Sequence, residues 1–414
     1  MKVFKFGGAS LKSAAGIRKV ASIVTSTPDR PLLLVVSAMG KTTDQLERVQ
    51  ANASNLQLYK AHLAESKKYH LAIIHELFKD SKQVENSVME QFDKIEVDLF
   101  INADFDCVYD QVVSKGEMIS SLIVYHYLRE AGLPMRWLDA RSCIVTDKTF
   151  REGKVNWSKT EENIRKTVDT SADEIIITQG FIGGTEDGLT TTLGREGSDF
   201  TAAIFASSLY AESVTIWKDV PGVMNADPKR LSAATVFEEL PFKEAAEMTY
   251  YGASVIHPKT IKPLANRQIP LLVKNFDDPL LPGTKIHECV VAQLPPLIVF
   301  KDNQCLITCK VTDYTFIEEP QLLSIFHTLT ELNIRINVMQ NSAITFSFCI
   351  DFRENKVKAL IQTLQQQFEV YYNTGLTLIT IKNYTPEAFE TYRKRPGIML
   401  EQSSRSTLQI LVKN

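Results

Sequence analysis

The sequence is short of glycine: 18 in 414 residues, where the usual ~7% would supply about 29. Six of them, Gly180, Gly183, Gly184, Gly188, Gly194 and Gly197, nevertheless fall within eighteen residues, marking a place where backbone bends or comes close to a ligand. Positive charge is not in surplus. Lys and Arg total 46 against 49 Asp and Glu, a net charge of -3, so no global field favours nucleic acid and any polyanion site is local. No run approaches the ~18 apolar residues of a membrane span, and MKVFKFGGAS lacks the apolar core of a secretory leader. A cytoplasmic protein without a membrane partner is expected. The six cysteines include no CxxC pair, which removes the usual zinc and redox spacings. Cys305 and Cys309, four apart in an apolar strand, read as buried thiols.

What is present describes an ordinary globular chain, 44% hydrophobic and 23% charged, long enough for two or three domains. Residues 2–6 and 32–36 are apolar runs suited to parallel strands buried on both faces. Residues 42–131 have a helical pattern. Strands resume at 135–139, at 174–178 ahead of the glycine cluster, at 213–217 and at 270–274. This alternation predicts an α/β domain with an open, mostly parallel sheet between helices, over residues 1–292. VAQLPPL (291–297) places the domain boundary at its paired prolines. Beyond it, residues 298–414 read β-α-β-β-α-β: strands at 305–311, 334–339, 344–350 and 376–382, with helices at 319–332 and 355–368. That order is a ferredoxin-like α+β unit over about 303–383. A short helix at 385–394 and a strand at 407–413 form an abbreviated second unit.

Four segments carry the chemistry. Lys5 precedes Gly7-Gly8 at the end of the first strand, where a buried lysine needs an anionic partner and side-chain-free backbone can turn N–H groups to phosphate. On the strand alone, a surface lysine at an edge is as good a reading. Ser37 to Thr43 ends in Gly40-Lys41-Thr42, but Val35 stands where a P-loop needs its leading glycine. Ser37 and Thr43 are hydroxyl donors for a small acid, or Thr42 or Thr43 caps the next helix. In Gly194-Arg195-Glu196-Gly197-Ser198-Asp199, Ser198 or Asp199 is placed to cap an apolar helix whose N-terminus attracts anions, and Arg195 can hold a carboxylate. Lys218 to Lys229 follows a strand with two turns, a loop able to wrap a nucleotide. His257, before a proline, reads as structural.

Taken together, KFGGAS (5–10), VVSAMGKTTD (35–44), SKGEMIS (114–120), TTLGREGSDFTAA (191–203), WKDVPGVMNADPK (217–229), YGASVIHPKTI (251–261) and LPGTKI (281–286) resemble aspartate kinase, in order over about 290 residues. The resemblance implies the amino acid kinase fold, carbamate kinase-like, with an eight-stranded sheet, followed by an ACT-type regulatory region. It implies phosphorylation of the L-aspartate side chain by ATP, the first step of the aspartate-family amino acid pathway. Lys5 would stabilise the transferred phosphoryl group, and Asp199 would hold that lysine or a magnesium ion. Gly8, Ser37, Thr43, Glu117, Arg195 and Ser198 would bind aspartate. Lys5, Gly7, Gly8, Lys218, Asp219, Met224, Lys229 and Ser254 would face ATP. No direct metal ligand is implied beyond Asp199, since Mg2+ arrives with the phosphates. Asn337 and Ser342 would contact an amino-acid effector, and a homodimer or higher homo-oligomer would form through the ACT regions.

The sequence departs from the family pattern at the nucleotide end. Lys218-Asp219 replaces Thr-Asp, Met224 a tyrosine, Lys229 an arginine and Ser254 a lysine, so one lysine is lost and another gained. Ala9 replaces a threonine and Glu196 a glycine. In the effector loop Pro320 replaces a glycine, and Ser342-Ala343 a Ser-Glu pair. A kinase acting on another amino acid such as glutamate, or a non-catalytic sensor with a degenerate ATP site, are the alternatives. With about 120 residues after the first domain, a monofunctional kinase is expected.

Overall fold

The computed structural model describes residues 1–253, 256–291, 294–313 and 315–413. The chain divides into two compact units, one of Met1–Val223, Val236–Ala246 and Val255–Val291, the other of Met224–Thr235, Glu247–Ser254 and Ala292–Asn414. Ala292, where the first domain is expected to end, lies outside the described residues. Two short segments from before that point group with the second unit.

The strands before residue 292 are β1 (Lys2–Phe6), β2 (Leu32–Val36), β3 (Met135–Leu138), β4 (Ile175–Gln179), β5 (Ile182–Gly184), β6 (Thr190–Thr192), β7 (Ser213–Lys218), β8 (Glu239–Pro241), β9 (Leu271–Asn275) and β10 (Thr284–His287). The helices are α1 (Ala14–Thr25), α2 (Thr42–Ala51), α3 (Leu56–Leu77), α4 (Lys82–Asp98), α5 (Phe105–Glu130), α6 (Trp157–Thr167), α7 (Gly197–Leu209), α8 (Phe242–Tyr251) and α9 (Pro258–Asn266). Eight strands form one sheet in the order β3-β4-β2-β1-β7-β9-β10-β8, parallel throughout except at β9–β10. Every residue of β2 and β4 is buried, as parallel strands covered on both faces require. Consequently β1, β2 and β7 deliver their carboxyl ends side by side, where ligands bind in open α/β sheets.

The second unit is built on β11 (Leu297–Lys310), β12 (Ile336–Asn341), β13 (Thr345–Asp351), β14 (Glu369–Lys382), β15 (Ile398–Ser403) and β16 (Thr407–Lys413), with α10 (Glu319–Glu331), α11 (Glu354–Leu364) and α12 (Pro386–Arg393). Its sheet runs β12-β13-β11-β14-β16-β15, the ferredoxin-like order extended by a final hairpin. β11 starts at Leu297, eight residues earlier than its apolar run at Cys305 predicts, and β15 has no counterpart in the sequence reading. For β11 the reason is a bulge: the β11–β14 register shifts between Lys301 and Gln304, and Asn303 sits at φ +55°. The polar stretch Lys301-Asp302-Asn303 thus interrupts the sequence pattern without ending the strand. On either side of the bulge the long strands serve different cores. Cys305, Ile307 and Cys309 pack with α10 and α11, whereas Ile298, Ile379 and Ile381 pack with Tyr392, Leu408 and Ile410.

Candidate active site

Side chains alternate along β1, and this alternation aims Lys5. Phe4 and Phe6 join a core that includes Trp217, whose ring stacks on Phe6 with centroids 6.1 Å apart and planes 4° from parallel. Lys5, between the two phenylalanines, is therefore on the other face. It is the register partner of Ile216, and Lys218, two residues further along β7, shares that face. α7 packs against β1, β2 and β7, and its third residue meets both amines. Lys5 Nζ lies 2.6 Å from Asp199 Oδ1 and Lys218 Nζ 3.5 Å from Asp199 Oδ2. Burial pushes the Asp199 carboxyl up, but Lys5 and Lys218 outweigh it and hold it below the usual carboxylate range. Two ammoniums against one carboxylate leave the triad net positive, which suits phosphate oxygens in a poorly solvated place.

Ser198 and Asp199 do not cap α7, contrary to the sequence reading. The helix starts two or three residues earlier than either cap would place it, at Gly197, with Glu196 as its N-cap at φ +53° and no side-chain capping bond. Asp199 is one turn inside the helix and free to meet the lysines. A Cβ on Gly180 would fall 2.4 Å from Ser198 Cβ, and one on Gly197 2.6 Å from Phe181. These two glycines let the turn after β4 lie against the start of α7.

The loops after β1 and β2 lock to each other through backbone. Gly40 N–H donates to Gly8 O at 2.9 Å and Ser37 N–H to Phe6 O at 3.1 Å. A Cβ at position 8 would lie 2.5 Å from Ala38 O, so only glycine fits there. Neither Thr42 nor Thr43 caps α2: its N-cap is Lys41, and the Thr42 hydroxyl donates to Met39 O at 2.6 Å. Below these loops runs α5. Gly116 lets it approach Ala38 and Thr42, and the Ser120 hydroxyl donates to Ser37 O at 2.6 Å. Glu117 is thereby brought under the loop and buried. Burial pushes its carboxyl up to about 8, against the lowering influence of the Ala38 N–H and Lys5, and Oε2 has no hydrogen-bond partner among the described residues.

These groups line one cavity of about 610 Å³. Lys5, Gly8, Ser37 and Thr43 come from the first two strands and their loops, Glu117 from α5, Arg195, Ser198 and Asp199 from the start of α7, and Lys218 from β7. Gly7 is beside it, with room for a Cβ only 3.3 Å from Lys5 Nζ. Asp219, exposed, does not line it. Met224 and Lys229 also lie outside its lining and group with the second unit. Ser254 lies outside the described residues. His257 is the N-cap of α9, accepting the Lys259 N–H.

The cavity wall also contains residues that the sequence reading missed, Tyr109, Arg151, Glu152, Phe181 and Thr192 among them. One signal was available: Asp110 stands seven residues before Glu117, on the same face of a helix. It accepts hydrogen bonds from the Arg151 and Thr192 N–H groups. Glu196 is likewise on the wall, its carboxyl pushed up by burial although Lys218 pulls it down. In the second unit the Asn337 amide accepts from Lys301 and donates to Gln304 and Asp351, while Ser342 is exposed in the turn between β12 and β13. The six cysteines are free thiols, five of them buried, Cys305 and Cys309 included. No helix among the described residues is long and apolar enough to cross a membrane.

The amino acid kinase family model matches residues 1–275. The chain belongs to the amino acid kinase family. Within the family it is similar to lysine-sensitive aspartokinase 3 of Escherichia coli K12, 30% identical over 396 residues that cover 92% of this chain and 86% of that protein. It is also similar to a chloroplastic bifunctional aspartokinase/homoserine dehydrogenase of Daucus carota, 29% identical over 390 residues. That match takes in 90% of this chain and 42% of the relative, so the chain spans less than half the length of such bifunctional relatives. Among solved structures, E. coli aspartokinase III in complex with aspartate and ADP aligns with all of this chain and 96% of its own, at 28% identity and a TM-score of 0.86. The eight-stranded sheet and the antiparallel second unit are the aspartokinase fold of this family.

Proposed function

We propose that the chain is an aspartate kinase, transferring the γ-phosphoryl group of ATP to the side-chain carboxylate of L-aspartate. The observation that carries this reading is the Lys5–Asp199–Lys218 triad on the wall of the cavity that also contains Glu117 and Arg195. An aspartate side chain has a reference pKa of ~3.9 and is ionised at neutral pH, so no general base is required. One carboxylate oxygen attacks the γ-phosphorus while the bond to the β-phosphate oxygen breaks and ADP leaves. No proton moves. The difficulty is bringing two anions together, and catalysis of such transfers is mostly positioning and charge stabilisation. Lys5 and Lys218 meet the phosphoryl oxygens, with Asp199 holding both amines in place. Glu117 takes the substrate ammonium, and Arg195 its α-carboxylate. Ser37, Thr43 and Ser198 supply hydroxyl donors, and the backbone around Gly7 and Gly8 lines the phosphate path.

Magnesium fits this site as an ion carried by phosphates. No group of three or more His, Cys, Asp or Glu side chains able to hold a metal occurs among the described residues. Mg2+ ordinarily keeps several waters and takes one or two carboxylates beside substrate phosphates. Asp199 is the side chain that would contact it, and the ion would supply neutralisation of phosphate charge. In the second unit, an ACT-type regulatory role with an amino-acid effector near Asn337 and Ser342 follows from the similarity to a lysine-sensitive relative. The edge strands β12 and β15 expose Met339 and Met399, and pairing of such edges between copies supports a homo-oligomer.

The test is magnesium-dependent ADP release from purified protein with L-aspartate, L-glutamate or no acceptor. Release that requires aspartate is the expected result. Release with glutamate alone would assign another acceptor, and no release with either would leave an amino-acid sensor.

A further inference from the structure

Arg151 is held in a conformation that an arginine rarely adopts. Its φ is +67°, the left-handed region that favours glycine, and a bulky residue kept there points to a functional constraint. The surroundings fix it from three sides. Its N–H donates to Asp110 Oδ2 at 2.9 Å; Asp110, fully buried, also accepts from the Thr192 N–H and hydroxyl at 2.8 Å each. The next residue but one, Gly153, donates its N–H to Thr192 O at 2.8 Å. The guanidinium lies 4.0 Å from the centre of the Tyr109 ring, whose hydroxyl donates to Glu47 at 2.5 Å. One buried carboxylate thus anchors both the loop bearing Arg151 and the strand β6 that leads to Arg195.

The same anchoring makes the two arginines neighbours. A Cβ on Gly194 would sit 3.3 Å from Arg151 O and 3.2 Å from Glu152 Cγ, so residues 151 and 152 lie directly against the residue before Arg195. Both arginines line the cavity with Glu117. The ion pair of Arg151 with Asp106, at 3.3 Å, joins two side chains that are about half exposed, and such pairs hold little. It explains neither the strained backbone nor the position on the cavity wall. A planar fork stacked on an aromatic ring is, by contrast, how a carboxylate-binding arginine is pre-organised.

We infer that Arg151 is a second carboxylate-binding residue for the acidic substrate, acting beside Arg195, so that the α-carboxylate meets two guanidiniums. The inference rests on the aspartate kinase reading for its substrate but not for its geometry. Arg151→Gly is the decisive variant, because glycine accepts φ +67° and the Asp110 bond is to backbone. Equilibrium binding of L-aspartate by calorimetry and steady-state kinetics are measured on wild type, Arg151→Gly and Arg151→Lys. The expected result is a rise of about tenfold or more in Kd and KM for aspartate in Arg151→Gly, with kcat and the KM for ATP within about twofold and a partial effect in Arg151→Lys. Unchanged aspartate affinity in Arg151→Gly would overturn the inference and leave the kinase reading intact. Wild-type protein that binds aspartate with Arg151-dependent affinity but does not phosphorylate it would overturn the kinase reading alone. Wild-type protein that does not bind aspartate would overturn both.

Discussion

The two units differ in where polar side chains are left without partners. In the second, polar side chains near the β11 bulge satisfy one another: Lys301 Nζ reaches Asn337 and Asp351 at 2.8 Å each, Asn337 donates to Gln304 at 2.7 Å, and Gln304 donates to Asp351 at 3.0 Å. In the first unit, burial and satisfaction part company. Every buried side-chain nitrogen or oxygen without a hydrogen-bond partner among the described residues belongs to it, including Glu117 Oε2 and Glu196 Oε2 on the cavity wall. An unsatisfied buried polar atom costs about 1–3 kcal/mol, and at Glu117 and Glu196 a ligand in the cavity can complete it. The cavity wall of the first unit keeps polar atoms open to a ligand, whereas the network at the β11 bulge closes on itself.

The largest effect that would break this contrast lies at the triad. Lys5→Ala and Asp199→Ala should each lower kcat by about 10²–10³-fold, the scale of losing one charge-stabilising group in a preorganised site. Turnover within a few-fold of wild type in either would remove that group from the chemistry.

Glu117 gives the next effect and a pH signature. Its carboxyl is pushed up to about 8 by burial, so the empty site is mostly protonated at pH 7, whereas a bound ammonium requires the ionised form. Aspartate binding therefore releases a proton, and the KM for aspartate should fall by about tenfold per pH unit between 6 and 8, then level off. For the empty fold the sign is opposite. Ionising this group in place costs stability, which declines as pH rises from the ordinary carboxylate range towards 8. Glu117→Gln should abolish the pH slope and raise the KM by about 10–100-fold; a slope that survives in Glu117→Gln would assign the titration to another group.

Lys218 is a smaller test. It lies 3.5 Å from Asp199, and Lys218→Ala should raise the KM for ATP or lower kcat by about tenfold, consistent with one lost charge-assisted contact. An unchanged ATP dependence would make Lys5 sufficient. The smallest effect on catalysis is expected in the second unit. Gln304→Ala removes a side chain that is 1% exposed and strands its partners, so thermal unfolding should report about 1–3 kcal/mol of lost stability while effector-free turnover stays within about twofold. A loss of turnover at full stability would show that this network also serves the reaction.

Much of the fold was legible because buried parallel strands are continuous apolar runs: β1, β2, β4 and β7 begin or end within about a residue of the sequence reading. The ferredoxin-like order of the second unit was legible from its β-α-β-β-α-β succession of strand and helix patterns. What was hidden depends on geometry that no run of residues displays. β5 and β6 are three residues each and made largely of glycine and threonine. The start of β11 is masked by the polar bulge at Asp302 and Asn303, and the missing capping role of Asp199 follows from the left-handed Glu196. In the site, motifs marked Lys5, Arg195 and Asp199 and the family resemblance added Glu117, but the convergence of Lys5 and Lys218 on Asp199 follows from the register of β1 with β7. Arg151 was invisible because only its φ and the Tyr109 ring distinguish it from a surface arginine.

The product of an aspartate kinase is an acyl phosphate, which hydroxylamine traps. Protein incubated with ATP, Mg2+, L-aspartate and hydroxylamine should give aspartyl hydroxamate, the trapped form of an acyl phosphate, in amounts equal to the ADP released, and Lys5→Ala should give almost none. ADP release without hydroxamate, or hydroxamate formed from glutamate and not from aspartate, would contradict the aspartate kinase reading.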